Sequence, residues 1–136
     1  MAESLKSILL ADDDITLREM YSERLKAEGF TVETAQDGQE ALEKATELLP
    51  NAILLDIMMP KMNGLDVLKK LKEQDETKHI PVIILTALIQ DREKMESVTR
   101  GADDYIVKSE AMPGDVIAKV HGVLEKSSQE AANPAV

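Results

Sequence analysis

The sequence predicts an α/β domain, a five-stranded parallel sheet with helices on both faces. Three observations carry that prediction. Short apolar runs alternate with helical patterns from end to end, the order required when crossover helices join parallel strands. The runs at 52–55 and 81–85 are apolar throughout, as strands covered on both faces are. The 136 residues, 43% hydrophobic and 31% charged, fit one ordinary folded unit.

Taken in order, Ser7-Ile8-Leu9-Leu10-Ala11 reads as a strand that stops at Asp12-Asp13-Asp14. The next stretch carries Leu17, Met20, Tyr21 and Leu25 at helical spacing, and Gly29 offers a C-terminal cap. Thr31 to Ala35 is a second strand. Asp37 then caps a helix with Glu40 three residues on, the capping-box spacing. That helix shows Ala41, Leu42, Ala45, Leu48 and Leu49 as one stripe and ends before Pro50. The third strand, 52–55, ends at Asp56. A loop of Met, Pro, Asn and Gly leads to a helix with Leu65, Leu68 and Leu71 inward. The fourth strand, 81–85, ends at Thr86. Residues 91–100 read as a helix broken by Gly101, and 104–107 as a short fifth strand. A last helix over 113–127 carries Val116, Ile117, Val120, Val123 and Leu124. The expected folded unit is 5–127, with 128–136 a flexible tail.

Composition narrows the function. The net charge of −10 repels phosphate backbones, so direct nucleic-acid contact is not expected, whereas a cation or a basic protein patch suits it. Three aromatic residues (Tyr21, Phe30, Tyr105) supply few stacking platforms. Without cysteine there is no disulfide, thiolate metal site or thiol nucleophile. No apolar run spans a bilayer and the N-terminus lacks a secretion pattern, so no membrane partner and a cytoplasmic location are expected.

Sheets of this kind place their site beyond the carboxyl ends of the strands. Those ends carry Asp12, Asp13, Asp56, Thr86 and Lys108. Three carboxylates at one edge repel one another, and a hard divalent cation relieves the repulsion. All the donors are oxygen, and neither His79 nor His121 has a ligand-spaced partner, so Mg2+, with Mn2+ in its place, is favoured over zinc. A carboxylate beside such an ion can accept a phosphoryl group as an acyl phosphate. Lys108 offers a cation and Thr86 a hydroxyl donor for that group's oxygens. Each residue has a plainer reading as well. The acids at 12–14 suit a helix N-terminus, Tyr105 suits a core or edge, and the charges at 91–100 suit a solvated helix face.

Four motifs occur together and in order: Leu9-Leu10-Ala11-Asp12-Asp13-Asp14, Leu54-Leu55-Asp56-Ile57-Met58-Met59-Pro60-Lys61-Met62-Asn63-Gly64, Thr86-Ala87, and Gly101-Ala102-Asp103-Asp104-Tyr105-Ile106-Val107-Lys108. With them the chain resembles the receiver domain of two-component response regulators, single-domain chemotaxis-type regulators among them. The resemblance implies a flavodoxin-like sheet in strand order 2-1-3-4-5. It implies that Asp56 accepts phosphate from a histidine kinase or histidine phosphotransfer protein. By the same resemblance Asp13 binds Mg2+ directly, Asp12 through water, and Met58 through its backbone carbonyl. Lys108 pairs with the phosphoryl oxygens. Thr86 and Tyr105 form a switch that alters the face made by the 91–100 helix, the fifth strand and the last helix, for a downstream protein target. A monomer or a phosphorylation-dependent dimer is implied. The chain is then a phosphoacceptor that supports its own phosphorylation and dephosphorylation rather than an enzyme acting on other substrates.

Two departures stand out. Ser109 follows Lys108 where the family usually has proline, and Leu88-Ile89 is apolar where relatives are often polar, a pair that would shield an acyl phosphate. Two other classes compete with the switch. An aspartyl-nucleophile phosphatase usually wants a second acid two residues on, where this chain has Met58. A phosphate-independent scaffold of the same fold, binding its partner constitutively, typically loses an acid, the threonine or the lysine, and this chain keeps them all.

Overall fold

The computed structural model describes residues 6–86, 101–108 and 112–132. Five parallel strands, β1 (Ser7–Ala11), β2 (Thr31–Ala35), β3 (Ala52–Asp56), β4 (Val82–Thr86) and β5 (Asp104–Val107), form one sheet in the order β2-β1-β3-β4-β5. Four helices are described: α1 (Ile15–Ala27), α2 (Gly38–Leu48), α3 (Gly64–Glu73) and α4 (Pro113–Ala132). Strand order reverses between β1 and β3, where the β1 and β3 ends meet.

Side-chain alternation sorts the apolar residues into two layers. Leu9, Ile53, Leu55, Val82 and Ile84 join α2 and α3 in one core. Ile8, Leu10, Leu54, Ile83, Leu85 and Ile106 join α1 and α4 in the other. Every residue of β3 and β4 is therefore buried, whereas edge strand β2 alternates with solvent. The two central strands run to Asp56 and Thr86, one residue past their apolar stretches. Register accounts for this: Asp56 pairs with Leu85 and Thr86 with Val107.

Helix starts follow local chemistry. Asp14 caps α1, accepting from the backbone N–H of Thr16 at 2.9 Å and Leu17 at 3.2 Å. Asp37 caps α2 by accepting from Glu40 N–H at 2.8 Å, but the Glu40 carboxylate takes the N–H of Gln36, one residue before the predicted box. Met20, 41% exposed, and Leu48 and Leu49, 45% and 49% exposed, stand outside the predicted stripes. Helix α2 stops at Leu48, and Leu49 turns away in the left-handed region at φ 49°. Helix α4 continues five residues beyond the predicted 127, because Ser128-Gln129-Glu130-Ala131-Ala132 holds good helix formers and no breaker before Pro134. The first part of the expected flexible tail is thus helical, and 133–136 lie outside the described residues. So do the predicted 91–100 helix, Leu88, Ile89 and Ser109. Among the described residues no helix is long and apolar enough to cross a membrane.

Candidate functional site

The ends of β1 and β3, together with the residue after β5, meet at one edge. Leu10, Leu54 and Ile106 point to the α1/α4 layer, so Asp12, Asp56 and Lys108 two positions on continue that face. Asp12 is fully buried and Asp56 is 2% exposed. Lys108 reaches both, with Nζ 2.9 Å from Asp12 Oδ2 and 3.2 Å from Asp56 Oδ2. Asp12 Oδ1 accepts from Asp14 N–H at 2.9 Å, and Asp56 Oδ1 from Met58 N–H at 3.3 Å. The Lys108 ammonium is the cation that faces Asp12 Oδ2 in this buried setting. That buried oxygen is neutralised by the lysine, and no other donor to it is found among the described residues.

The electrostatics follow from burial. Desolvation and the neighbouring charge of Asp12 lift Asp56 from 3.8 to about 7, against the pull of Lys108. Burial alone would lower Lys108, but hydrogen bonding and charge from the two carboxylates hold it above its ordinary value. Tyr21, buried on α1 in the same layer, is raised by its burial. The Lys108 charge opposes that shift and the Asp12 charge adds to it.

Oxygen atoms of Asp12, Asp13 and Asp56 all lie within 4.8 Å of one another. Ligand oxygens around one Mg2+ at ~2.1 Å stand up to ~4.2 Å apart, so a small contraction closes the set on a hard ion. The all-oxygen donor set fits such an ion, with the Lys108 ammonium neutralising part of the carboxylate charge. Asp13 is the exposed member, and Met58 presents its side chain to solvent.

Thr86 and Tyr105 lie elsewhere in the pleat. Tyr105 pairs with Ile84, so it shares a face with Ile84 and Thr86, the α2/α3 side, and it packs half-buried against that core. Thr86 is buried, and its carbonyl accepts from Lys108 N–H at 2.7 Å, which ties the β5 end to β4. The sequence reading thus brought Asp12, Asp13, Asp56 and Lys108 to one cluster, with Thr86 beside it through the backbone. Two neighbours escaped it. Arg18 Nη1 donates to the Asp12 carbonyl at 2.6 Å. Its only sequence signal is a long cation one turn into the helix that follows the acids. Tyr21 carried a core signal but none for its nearness to Lys108.

The profile of the response regulator receiver domain matches residues 8–121, and the chain belongs to that family. It is 39% identical over 129 residues to the "Transcriptional regulatory protein CpxR homolog" of Haemophilus influenzae, covering 95% of this chain and 55% of that protein. It is 34% identical to the "Phosphate regulon transcriptional regulatory protein PhoB" of Rhizobium meliloti, covering 93% and 55%. The chain spans about half the length of the curated relatives it matches. Among solved structures, a CheY-like receiver domain protein of Methanospirillum hungatei superposes with a TM-score of 0.87 at 31% identity, covering 93% of this chain and 99% of that one. A CheX–CheY–BeF3–Mg complex from Borrelia burgdorferi superposes at 0.80 and 30% identity, covering 87% and 88%. The fold is therefore the CheY-like receiver fold, with an acidic cluster of Asp12, Asp13 and Asp56 at its switch point.

Proposed function

We propose that the chain is a phosphoacceptor signalling switch of a two-component or phosphorelay system, and that Asp56 takes the phosphoryl group. The observation that carries this is the placement of Asp56, buried at the end of an apolar strand with Lys108 at 3.2 Å and two further aspartates beside it. In the step envisaged, an Asp56 oxygen bonds to phosphorus as the P–N bond of a phosphohistidine breaks. The electron pair goes to the departing imidazole of a histidine kinase or phosphotransfer protein. Lys108 offsets charge on the transferring oxygens. Asp12, Asp13, Asp56 and the Met58 carbonyl would hold Mg2+, or Mn2+, which supplies charge neutralisation for the attack. The relative described with BeF3 and Mg supports that reading. Thr86 and Tyr105, sharing one face of the pleat, are the proposed switch pair.

The folded unit expected over 5–127 extends through the last helix to Ala132. The net charge of −10 speaks for a protein target rather than nucleic acid contacted by this domain itself, in a monomer or phosphorylation-dependent dimer. The test is incubation with acetyl phosphate and Mg2+, followed by intact mass with and without hydroxylamine. A phosphoryl increment that needs Mg2+, is removed by hydroxylamine and is absent from Asp56→Ala supports the reading. No increment, from either acetyl phosphate or a cognate kinase, in folded protein that binds Mg2+ would leave the phosphate-independent scaffold.

A further inference from the structure

The loop between β3 and α3 carries Met58, and its shape is fixed at two places. At its base, Gly64 N–H donates to the Ile57 carbonyl at 2.8 Å. At its tip, the loop rests on the start of α2. Gly38 N–H donates to the Pro60 carbonyl at 3.2 Å, and Asp37 Oδ2 lies 3.6 Å from Lys61 Nζ. Lys61 itself stands at φ 70°, in the left-handed region that a non-glycine residue enters only under constraint. The fit leaves no space at Gly38. A Cβ there would stand 1.8 Å from the Met62 carbonyl oxygen and 2.6 Å from its carbon, both backbone atoms.

We propose that Asp37 and Gly38 form a template that seats this loop, so that Gly38 is a positioning residue for the cation site through Met58. The proposal rests on the metal reading above. The link is short: Pro60, which Gly38 holds, lies two residues after Met58, and Met58 N–H is itself tied to Asp56 Oδ1. A side chain at position 38 must push the tip outward by more than an ångström, and the displacement passes into the segment that presents the Met58 carbonyl. Supporting groups of this kind are worth roughly 10–100-fold in metal affinity.

The test is a Mg2+ titration of the full chain, followed by the Met59 amide resonance, whose nitrogen adjoins the Met58 carbonyl. Each variant is measured well below its unfolding midpoint. Gly38→Ala is expected to weaken binding by roughly 10-fold or more. Gly122→Ala, where a Cβ meets nothing within 4 Å, should bind as wild type does. If Gly38→Ala does not fold, Asp37→Ala carries the test, because it removes both the cap that fixes the start of α2 and the carboxylate facing Lys61. High salt screens the lost charge in that variant, and a severalfold loss of affinity is expected. A folded Gly38→Ala, or in its absence an Asp37→Ala, that binds Mg2+ as wild type does would overturn the proposal while leaving the metal reading intact. Wild type that binds no Mg2+ would instead remove the metal reading on which it rests.

Discussion

The Lys108 ammonium stands between two buried carboxylates, so charge governs substitutions at the strand ends more than packing does. Between its unfolded value of 3.8 and its folded value of about 7, Asp56 binds a proton more tightly in the folded chain. Its contribution therefore falls as pH rises through that window. Asp56→Asn removes the penalty. Without metal it should raise urea stability at pH 8 by on the order of 1–3 kcal/mol, with the gain shrinking toward pH 5. An equal gain at both pH values would mean that packing, not ionisation, is responsible. Lys108→Met does the opposite, leaving Asp12 and Asp56 uncompensated. It should cost ~3 kcal/mol without metal. It should also tighten Mg2+ binding in calorimetry, because the ammonium no longer competes for Asp12 Oδ2 and Asp56 Oδ2. Sequence position selected these acids and the lysine, because strand ends can be read from where apolar runs stop. The 2.9 Å approach of Lys108 to Asp12 could not be read, since it depends on the register of β5 against β4.

At the scale of the elements, glycines separate into those that a neighbour demands and those that none does. A Cβ on Gly64 would stand 2.1 Å from the Asp56 carbonyl oxygen, so the start of α3 presses directly on the end of β3. Gly64→Ala is expected to cost ~3 kcal/mol or more through forced backbone shifts. Gly122→Ala in α4 should gain ~0.5–1 kcal/mol. Urea midpoints with unchanged slopes would check the pair, and equal effects would show that the close approach is not limiting. The difference does not announce itself in sequence, where both residues are simply glycines in helical segments. The strands were legible because β1, β3 and β4 are apolar runs with abrupt polar ends. Helix faces were less so. Leu48 shares its helix's apolar period but closes the last turn and stays exposed, as does Met20 on α1.

Across the whole molecule, the proposed cation site exists only when the chain is folded, because Asp12 and Asp13 follow β1 while Asp56 closes β3. The sheet order that joins them was implied by the family resemblance rather than by periodicity, which fixes strand identity but not neighbours. Binding to the folded state alone adds stability as RT ln(1 + [Mg2+]/Kd), about 2.7 kcal/mol at one hundred times Kd. Urea unfolding should then shift to a higher midpoint with Mg2+, at constant slope, because the surface exposed on unfolding is unchanged. The net charge of −10 supplies a competing explanation, since any salt relieves self-repulsion in the folded state. NaCl at matched ionic strength separates the two. Site binding predicts a shift with Mg2+ that NaCl does not reproduce and that Asp13→Ala abolishes. Screening predicts equal shifts for both salts and for the variant. Asp13 suits this comparison because it is the exposed member of the cluster, so its removal leaves the packed strand ends undisturbed and reports on the ion alone.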